Sequence, residues 1–389
     1  MKSYYIKNVF YFITALVVLT GCKNNNEAVY NYIPPSYLSE TIEATEDSMM
    51  LDLDSINVLN IRSLHYFKED GTAYLSFYDK SSMSVNIYDF ASLKLKKRLF
   101  IKDIFGRKII RPLAFVKSMD SIYLTNNITF YRADRDGNLR DSIPFPRLPV
   151  FAMPYYGSRS VPVVMDGVFY TAATEELSIK NGEDRKNWKV LCKFDLNKHK
   201  PGLTYSLPAP YLENEYTYDF FNVYYCANDR RKIVFSFPAD TCIYETDLLK
   251  EGTRFYAKSR FQTTDITSAV TMGPQDDDKA KKKQYLFNDS YGPLYFDPFN
   301  RKYLRISERK ISKEDYLNRA WWKKKSIILF NDQFKIIGES KIDDKIDISA
   351  LLFTDDGKVL ARKQIADLHK LCLVNLQYIG KSQDKLTKF

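Results

Sequence analysis

The chain is 389 residues long, 45% hydrophobic and 27% charged, a composition that is typical of globular proteins and excludes a largely disordered chain. It has 29 Tyr and 26 Phe against 3 Trp, and such aromatic residues favour strands. The formal charge of +10 comes from Lys and Arg that are interspersed with Asp and Glu, so we expect an ordinary solvated surface and no nucleic-acid partner.

The first residues have the order of a secretory signal. A short basic stretch with Lys2 and Lys7 precedes an apolar run over residues 9–19, and this run is about half of the roughly 20 apolar residues that a membrane span needs. The sequence Leu19-Thr20-Gly21-Cys22 then resembles the lipobox at which lipoprotein signal peptidase cuts. We therefore predict a signal peptide over residues 1–21 and a lipid on Cys22. The alternative is an ordinary signal peptide followed by a chance cysteine.

A polar stretch follows Cys22 and lacks apolar periodicity. We predict a tether over residues 22–45 that carries a single domain over residues 46–389. An acidic residue soon after a lipidated cysteine resembles the surface-export signal of Bacteroidales-type lipoproteins, but Glu27 alone leaves the periplasmic face and the cell surface both open. The predicted location is the bacterial cell envelope, with the lipid in the outer membrane.

A weak repeat runs along the rest of the chain. An apolar run, a turn and a second apolar run recur, with turns at Asp70-Gly71, Asp120-Ser121, Asp166-Gly167, Asp229-Arg230, Asp289-Ser290 and Asp356-Gly357. Asp-Gly and similar pairs are typical of hairpin turns. A third apolar strand is predicted after each hairpin, at residues 86–89, 129–132, 192–195, 242–245, 328–331 and 372–375. A fourth is predicted at residues 93–100, 139–145, 203–207, 254–261 and 334–340.

Repeated units of about four strands predict an all-β fold, and specifically a six-bladed β-propeller. The sixth unit has no clear fourth strand at its own end. Residues 49–53 or 58–61 would supply it, and the ring would then be closed by N-terminal and C-terminal strands. The alternatives are a pair of β-sandwiches or a β domain without repeats.

Three insertions interrupt the repeat, at residues 175–187, 263–283 and 308–325. Long connections of this kind are often functional or disordered. In the third insertion, Ser312 is placed to cap a short helix with acidic residues in its first turn. Trp321 and Trp322 follow beside lysines. They fit either a sugar-stacking or membrane-interface patch, or the cover of the outer edge of the fifth blade.

Residue types that carry catalysis are scarce. The histidines are His65, His199 and His369, and their spacing predicts neither a catalytic triad nor a metal site. The motifs G-x-S-x-G and H-E-x-x-H and a phosphate-binding glycine loop are absent from the sequence. We therefore predict no catalytic residue, no metal and no cofactor. A carboxylate pair for glycoside cleavage stays open, because a propeller brings distant acids together.

Two local patterns have structural interpretations. Cysteines in apolar, strand-like stretches favour buried free thiols over disulfides; the four are Cys192, Cys226, Cys242 and Cys372. If a bridge forms, Cys226 with Cys242 is the pair nearest in sequence. Residues 134–138, Asp-Arg-Asp-Gly-Asn, have oxygen ligands at alternate positions as in a calcium loop, but they lack its distal glutamate. We interpret them as a tight turn.

Ligand-binding residues are predicted from propeller geometry. Side chains that precede the innermost strands gather at the mouth of the central channel. Polar and aromatic residues stand at these positions, and the predicted ligand-binding residues are Arg111, Tyr155, Tyr156, Arg159 and Tyr218. Packing is the alternative role of each.

The lipobox, the Asn-rich tether, the repeat and the segment Tyr295-Phe296-Asp297-Pro298 before Ser326-Ile327-Ile328 together resemble an uncharacterised family of Bacteroidales-type lipoproteins similar to six-bladed β-propeller lipoproteins. This family brings no established activity. By fold analogy, the leading hypothesis is a non-enzymatic module that binds a protein, peptide or glycan across the propeller face. The alternatives are a carbohydrate-active hydrolase or lyase with its site in the central funnel, and a structural subunit of an outer-membrane assembly.

Overall fold

The structure, a computed structural model, describes residues 28–53, 60–106, 112–126, 129–145, 152–175, 182–250, 252–268 and 278–380. Strands dominate these ranges and the helices are short, so the predicted all-β class is confirmed. Cys22 and Arg111 lie outside the described residues.

Most strands pair antiparallel with the next strand along the chain. The first sheet contains β3 (Ile61–Glu69), β4 (Thr72–Asp79), β5 (Ser84–Asp89) and β6 (Leu95–Phe100). The second contains β7 (Leu113–Ser118), β8 (Ser121–Thr125), β9 (Thr129–Ala133) and β10 (Leu139–Pro144). In the third, β11 (Ala152–Tyr155) and β12 (Val163–Met165) both pair with β13 (Val168–Glu175), and β14 (Lys189–Asp195) and β15 (Lys200–Ser206) follow.

The remaining strands form one five-stranded and one eight-stranded sheet. The former contains β16 (Tyr224–Ala227), β17 (Ile233–Ser236), β18 (Cys242–Thr246), β19 (Thr253–Tyr256) and, parallel to β19, β1 (Val29–Asn31). The latter has the order β20 (Ser290–Asp297), β21 (Lys302–Glu308), β22 (Lys325–Phe330), β23 (Ile336–Lys341), β2 (Glu40–Asp52), β26 (Lys370–Gly380), β25 (Val359–Lys363) and β24 (Ile346–Phe353).

The N-terminal strand β2 joins the two halves of the eight-stranded sheet. It pairs antiparallel with β26 from Glu40 to Asp52, and Met49, Met50 and Leu51 are part of this ladder. In the parallel direction it meets β23 only at the pair Glu40 and Gly338. The sequence predicts two candidate segments for the strand beside β26, residues 49–53 and residues 58–61. The structure pairs the first of them with β26, over residues 49–52.

Strands occupy part of the range that was predicted as a tether, residues 22–45. Residues 29–31 form β1, and residues 40–45 belong to β2. Packing explains both strands: Ile42 is fully buried, and the Arg254 guanidinium stacks over the Tyr30 ring. A three-residue strand is too short to show the alternation from which a strand is predicted.

Hairpin turns follow the predicted aspartate chemistry with one correction. Asp70 and Gly71 both have positive φ, 49° and 78°, as a turn of type I′ requires. The prediction of a fifth turn at Asp289-Ser290 is wrong, because Ser290 already begins β20. The turn lies instead after Asp297, whose carboxylate accepts hydrogen bonds from the backbone N–H groups of the two residues that follow Pro298.

The hydrophobic core lies between neighbouring sheets. The second and third sheets are joined by a stack of Phe130, Phe169 and Phe194, with ring centroids 4.8–6.3 Å apart. A further core cluster contains Leu75 from the first sheet and Leu352 with Leu371 from the last one. Both faces of most sheets are thus covered by another sheet, which accounts for long buried runs in the central strands.

The helices of the described ranges all lie in connections at one end of the sheets. They occupy links from a second to a third strand, or from a fourth strand to the next first strand: Ile101–Phe105, Gly182–Asn187, Ala209–Glu213, the 3-10 helix Tyr218–Phe221, Asp278–Phe287 and Lys313–Leu317. We call this end the helical face. The predicted N-cap is confirmed: the Ser312 hydroxyl accepts from the Asp315 N–H, and the Asp315 carboxylate accepts from the Ser312 N–H.

The structure also describes the cysteines, the segment at residues 134–138 and the adjacent tryptophans. Cys192, Cys226, Cys242 and Cys372 are free thiols. Residues 134–138 form a turn between β9 and β10, in which the Asp134 carboxylate accepts from two backbone N–H groups and from Arg140. Trp321 and Trp322 are exposed, and the two roles predicted for them stay predictions. Within the described ranges, no helix has the length and apolarity to cross a membrane.

Candidate functional site

One cavity of about 400 Å³ is lined by a strand at the first position of each group of successive strands, namely β3, β7, β12, β16, β20 and β24. We call it the inner cavity. Each of these strands contributes apolar side chains, among them Tyr66, Phe115, Val163, Tyr225, Leu294 and Leu352. His65 also lines it, and burial lowers the pKa of its imidazole to about 4. The inner cavity is therefore mostly apolar, with Lys117 and Arg159 as the charged residues of its described lining and a histidine that is neutral at physiological pH.

A second cavity of about 440 Å³, the outer cavity, opens toward the helical face. Its lining comes from the first ends of β3, β7 and β24 and from β11. Tyr155, Tyr156 and Arg159 lie here together, but the two tyrosines differ in exposure: Tyr155, the last residue of β11, is 40% exposed, and Tyr156, which follows the strand, is buried. The volume lies in the roughly 300–1,000 Å³ range of small-ligand pockets.

The loop at residues 156–162, which we call the central loop, separates the two cavities. It interrupts the first strand of the third sheet, between β11 and β12, and closes on itself through reciprocal backbone hydrogen bonds between Gly157 and Ser160. Ser158 Oγ accepts from the Leu64 N–H at 2.8 Å, and Ser160 Oγ donates to the Val223 carbonyl at 2.9 Å. The loop is thus held by β3 on one side and by the residue that precedes β16 on the other.

Tyr156 contributes to holding the central loop. Its hydroxyl donates to the Leu113 carbonyl at 3.0 Å, and burial raises the pKa of that hydroxyl. A hydroxyl that is satisfied inside the protein has little to offer a ligand. Tyr156 therefore positions the loop, whereas Tyr155 presents its ring to the cavity rim.

Arg159, at the tip of the central loop, meets a buried carboxylate. Its Nη2 lies 3.2 Å from Glu308 Oε1, and its guanidinium stacks over the Tyr224 ring. Tyr285 and Ser290 donate to the other Glu308 oxygen. Burial alone would raise the pKa of Glu308, but the nearby cations Arg159 and Lys323 outweigh it and hold the pKa near 2.

Lys323 completes this buried polar group, which we call the Glu308 cluster. Its ammonium donates to Ser290 Oγ at 2.6 Å and to the Tyr285 carbonyl at 3.2 Å. Burial lowers the pKa of Lys323 to about 8, although Glu308 acts in the opposite direction. The cluster joins the central loop to β20, β21 and the third insertion, and it holds the Arg159 side chain between the two cavities.

Positive charge dominates the outer cavity. Arg62, Lys80, Arg159 and Arg362 line it against the single carboxylate Asp347. Among the described residues only Arg159 of these cations has a carboxylate partner. Several arginines elsewhere do have carboxylate partners, among them Arg135 with Asp120, Arg230 with Glu245 and Arg301 with Asp332.

An unsatisfied hydroxyl adds to this charge imbalance. Tyr78 lines the outer cavity, is only 2% exposed, and its hydroxyl has no hydrogen-bond partner within the described chain. Burial raises the pKa of Tyr78 to about 12, so the hydroxyl is a donor at neutral pH. Buried polar groups without a partner are uncommon, and a bound ligand is one explanation for them.

Catalytic groups are sparse around both cavities. The described residues that line them include one carboxylate, Asp347, whereas glycoside hydrolysis ordinarily uses two. Glu308 is buried and fully engaged, so it is unsuited to exchange protons with a substrate. The described chain also brings together no group of three His, Cys, Asp or Glu that would hold a metal ion.

The structure brings three of the predicted ligand-binding residues, Tyr155, Tyr156 and Arg159, to one cavity. The backbone of Tyr218 lies in the 3-10 helix on the helical face, and Arg111 is outside the described residues. The ligand-binding role of all five stays a prediction.

Sequence reasoning missed several residues of the two cavities. Arg62 stands next to the start of a first strand, so the rule that selected Tyr155 also applies to it. Glu308 and Lys323 lie near the ends of the third insertion, but no local pattern indicated that they meet a loop about 150 residues away.

These features define a class: an all-β protein of repeated antiparallel sheets with a basic cavity at its helical face. The family described as "Domain of unknown function (DUF4221)" matches residues 39–341, and the chain belongs to that family. No match is found among curated proteins.

Solved structures support the fold. The crystal structure of a DUF4221 family member from Bacteroides vulgatus aligns over 88% of this chain and 99% of its own length, with 18% identity and a TM-score of 0.72. A candidate exported protein from Bacteroides fragilis aligns over 91% of this chain and 100% of its own length, with 11% identity and a TM-score of 0.54. At these identities the likeness concerns the fold alone.

Proposed function

We propose that this protein is a lipid-anchored, six-bladed β-propeller of the bacterial cell envelope that binds a ligand in its outer cavity without transforming it. The observation that carries the proposal is the outer cavity itself: a basic, partly unsatisfied pocket beside the central loop, with a single carboxylate in its described lining.

The propeller part of the proposal has two supports. The strands fall into six groups of four successive positions in a sheet, and β2 completes the sixth group. The groups begin with β3, β7, β11, β16, β20 and β24. Core clusters join each group to the next, and one of them joins the last to the first. Six blades in a ring, closed by β2 beside β26, account for both features and leave only short sheet edges.

The anchoring part depends on the sequence. A basic start, a short apolar run and the tetrapeptide that ends at Cys22 support export followed by lipidation. The structural neighbour from Bacteroides fragilis bears the description of a candidate exported protein. We expect metabolic labelling with a fatty acid to mark the wild-type chain and not Cys22→Ser. Equal labelling of both would rule out the anchor.

The binding part is tested by filling the outer cavity. In Thr174→Trp, a half-buried side chain of the cavity lining is replaced by an indole. Soluble wild-type protein that starts after Cys22 is applied to arrays of bacterial glycans and peptides, beside this variant. Lys198→Trp, in the exposed turn between β14 and β15, is the matched control.

The proposal expects a signal from the wild type and the control that is lost in Thr174→Trp. An equal signal from all three proteins would place the binding surface elsewhere and overturn the proposed site. Turnover of a bound glycan into shorter products by the wild type would instead favour the hydrolase or lyase.

A further inference from the structure

We propose that the ligand of the outer cavity is an oligosaccharide that carries carboxylate groups. The inference rests on the proposed function, and it adds the chemical class of the ligand. It depends on the charge, the unsatisfied groups and the aromatic rim of the cavity.

The lining of the outer cavity carries an excess of positive charge. Arg62, Lys80 and Arg362 face the outer cavity without a carboxylate partner among the described residues, and only Asp347 opposes them. Cations that repel one another in a concave site raise the local concentration of anions. Two of the three are arginines, whose planar guanidinium binds a carboxylate through paired hydrogen bonds. The unpaired cations therefore fit an anionic ligand with more than one carboxylate.

The lining of the outer cavity also contains neutral hydroxyl groups. The Tyr78 hydroxyl is buried without a partner, and Thr174 and Ser349 add hydroxyls to the same lining. Hydroxyls both donate and accept hydrogen bonds, as the hydroxyls of a sugar do. Tyr155 exposes 40% of its surface at the rim, and a half-exposed tyrosine offers an apolar face beside a polar tip. This combination favours a sugar ring over an acidic peptide side chain.

The Glu308 cluster accounts for the shape of the site. Arg159 is held by Glu308 and stacked on Tyr224, so its remaining donor surface is fixed at the boundary of the two cavities. Its Nε is buried and has no hydrogen-bond partner within the described chain. A fixed guanidinium loses little conformational entropy when it binds a ligand. Arg159 is thus placed to form the base of the site.

The experiment compares three probes by calorimetry on the soluble chain that starts after Cys22. Tetragalacturonate supplies a sugar chain with carboxylates. Its fully methyl-esterified form has the same backbone without the charge, and hexaglutamate supplies carboxylates on a peptide. We expect tetragalacturonate to bind, the ester to bind at least tenfold more weakly, and added salt to weaken the interaction.

Two substitutions test the cations. Arg62→Gln and Arg362→Gln each remove a charge with a similar side-chain shape, and each is expected to weaken binding of tetragalacturonate about tenfold. Arg62→Lys keeps the charge without the guanidinium and is expected to lie between Arg62→Gln and the wild type. Arg135→Gln is the control, because Arg135 is exposed in the turn between β9 and β10 and pairs with Asp120. Far-ultraviolet circular dichroism and the denaturation midpoint show that each variant is folded.

The outcomes separate the inference from the proposed function. Binding of hexaglutamate at equal or higher affinity would overturn the sugar in favour of an acidic peptide. Equal binding of the ester, lost in Thr174→Trp, would overturn the role of charge and leave the proposed site intact. Binding of tetragalacturonate that Thr174→Trp does not reduce would overturn both proposals. Failure of tetragalacturonate to bind at millimolar concentration would overturn the inference.

Discussion

Glu308 is a carboxylate that is almost completely removed from water, with Arg159, Tyr285 and Ser290 as direct partners. A buried charge costs free energy unless it is paired and hydrogen-bonded, and removal of one partner leaves the others uncompensated. Lys323, which is also buried, depends on the same negative charge. The polar groups of the Glu308 cluster thus share one negative charge.

We expect Glu308→Gln to lower the free energy of unfolding at pH 7 by about 3 kcal/mol, because it leaves the buried Lys323 ammonium and the partly exposed Arg159 guanidinium without a counter-charge. Chemical denaturation followed by tryptophan fluorescence measures the change. Glu46→Gln is the control: Glu46 is exposed, and such substitutions change stability by about 0.5 kcal/mol or less. Equal midpoints for the two variants would show that the cluster adds nothing to stability.

The same residue predicts a pH dependence. The pKa of Glu308 is lowered in the folded protein from 4.5 to about 2, so the folded state binds the proton less tightly than the unfolded state. Its contribution is therefore present above about pH 4.5 and is lost as the pH falls toward 2. The stability difference between the wild type and Glu308→Gln should shrink over this interval. A difference that is constant from pH 7 to pH 3 would contradict the ionised state of Glu308.

Among the elements, β2 has the least usual position, because it lies between β26 and β23. Its ladder pairing with β23 is confined to Gly338, where a Cβ atom would overlap the Glu40 carbonyl, and the Ile42 N–H also donates to Ser340 Oγ of β23. The lack of a side chain at Gly338 therefore allows the close approach of two backbones.

We expect Gly338→Ala to destabilise the protein by about 1–3 kcal/mol, because either β2 or β23 must shift to relieve the overlap. Thermal denaturation at neutral pH measures the effect. Gly380→Ala is a matched control, since Gly380 pairs with the same Glu40 on its other side and a Cβ there would meet nothing within 4 Å. Similar melting temperatures for the two variants would mean that the contact between β2 and β23 is dispensable.

Sequence patterns that act within a few residues predicted more of the strands and turns than of the contacts between distant residues. The third strands and most hairpin turns follow from alternation and aspartate chemistry, which act within a few residues. The turn after Asp297 was missed because Asp289-Ser290, a few positions earlier, has the same pair of residue types as the turn at Asp120-Ser121. The pair of Arg159 and Glu308 was not predictable, because its members are 149 residues apart and meet only through the packing of different sheets.

At the scale of the whole molecule, the proposed ring depends on the two ends of the chain. β2 brings Leu51 into a core cluster that also contains Leu75 of the first sheet and Leu371 of β26. A ring that is closed in this way should unfold as one unit, because opening it at any blade exposes the faces of the neighbouring blades.

Met50 lies directly opposite Cys372 in the ladder of β2 and β26. Residues opposite each other in an antiparallel pair point to the same face with their Cβ atoms close together, so Met50→Cys should form a disulfide with Cys372 under oxidising conditions. The bridge would join the two ends of the ring. We expect oxidation to raise the free energy of unfolding by about 2–4 kcal/mol and to preserve a single transition. Peptide mapping by mass spectrometry identifies the bridge, and urea denaturation measures stability.

Met49→Cys is the matched control, because Met49 faces Leu373 instead of a cysteine. The oxidised control should keep the stability of its reduced form. If the Met50→Cys bridge forms and unfolding then splits into two separate transitions, the sheets do not behave as one ring. If no bridge forms, the register of β2 against β26 differs from the one described, and the closure of the ring by this strand fails with it. A single, stabilised transition would instead mean that β2 is an integral strand of the last blade, and that the lipid tether must end before it.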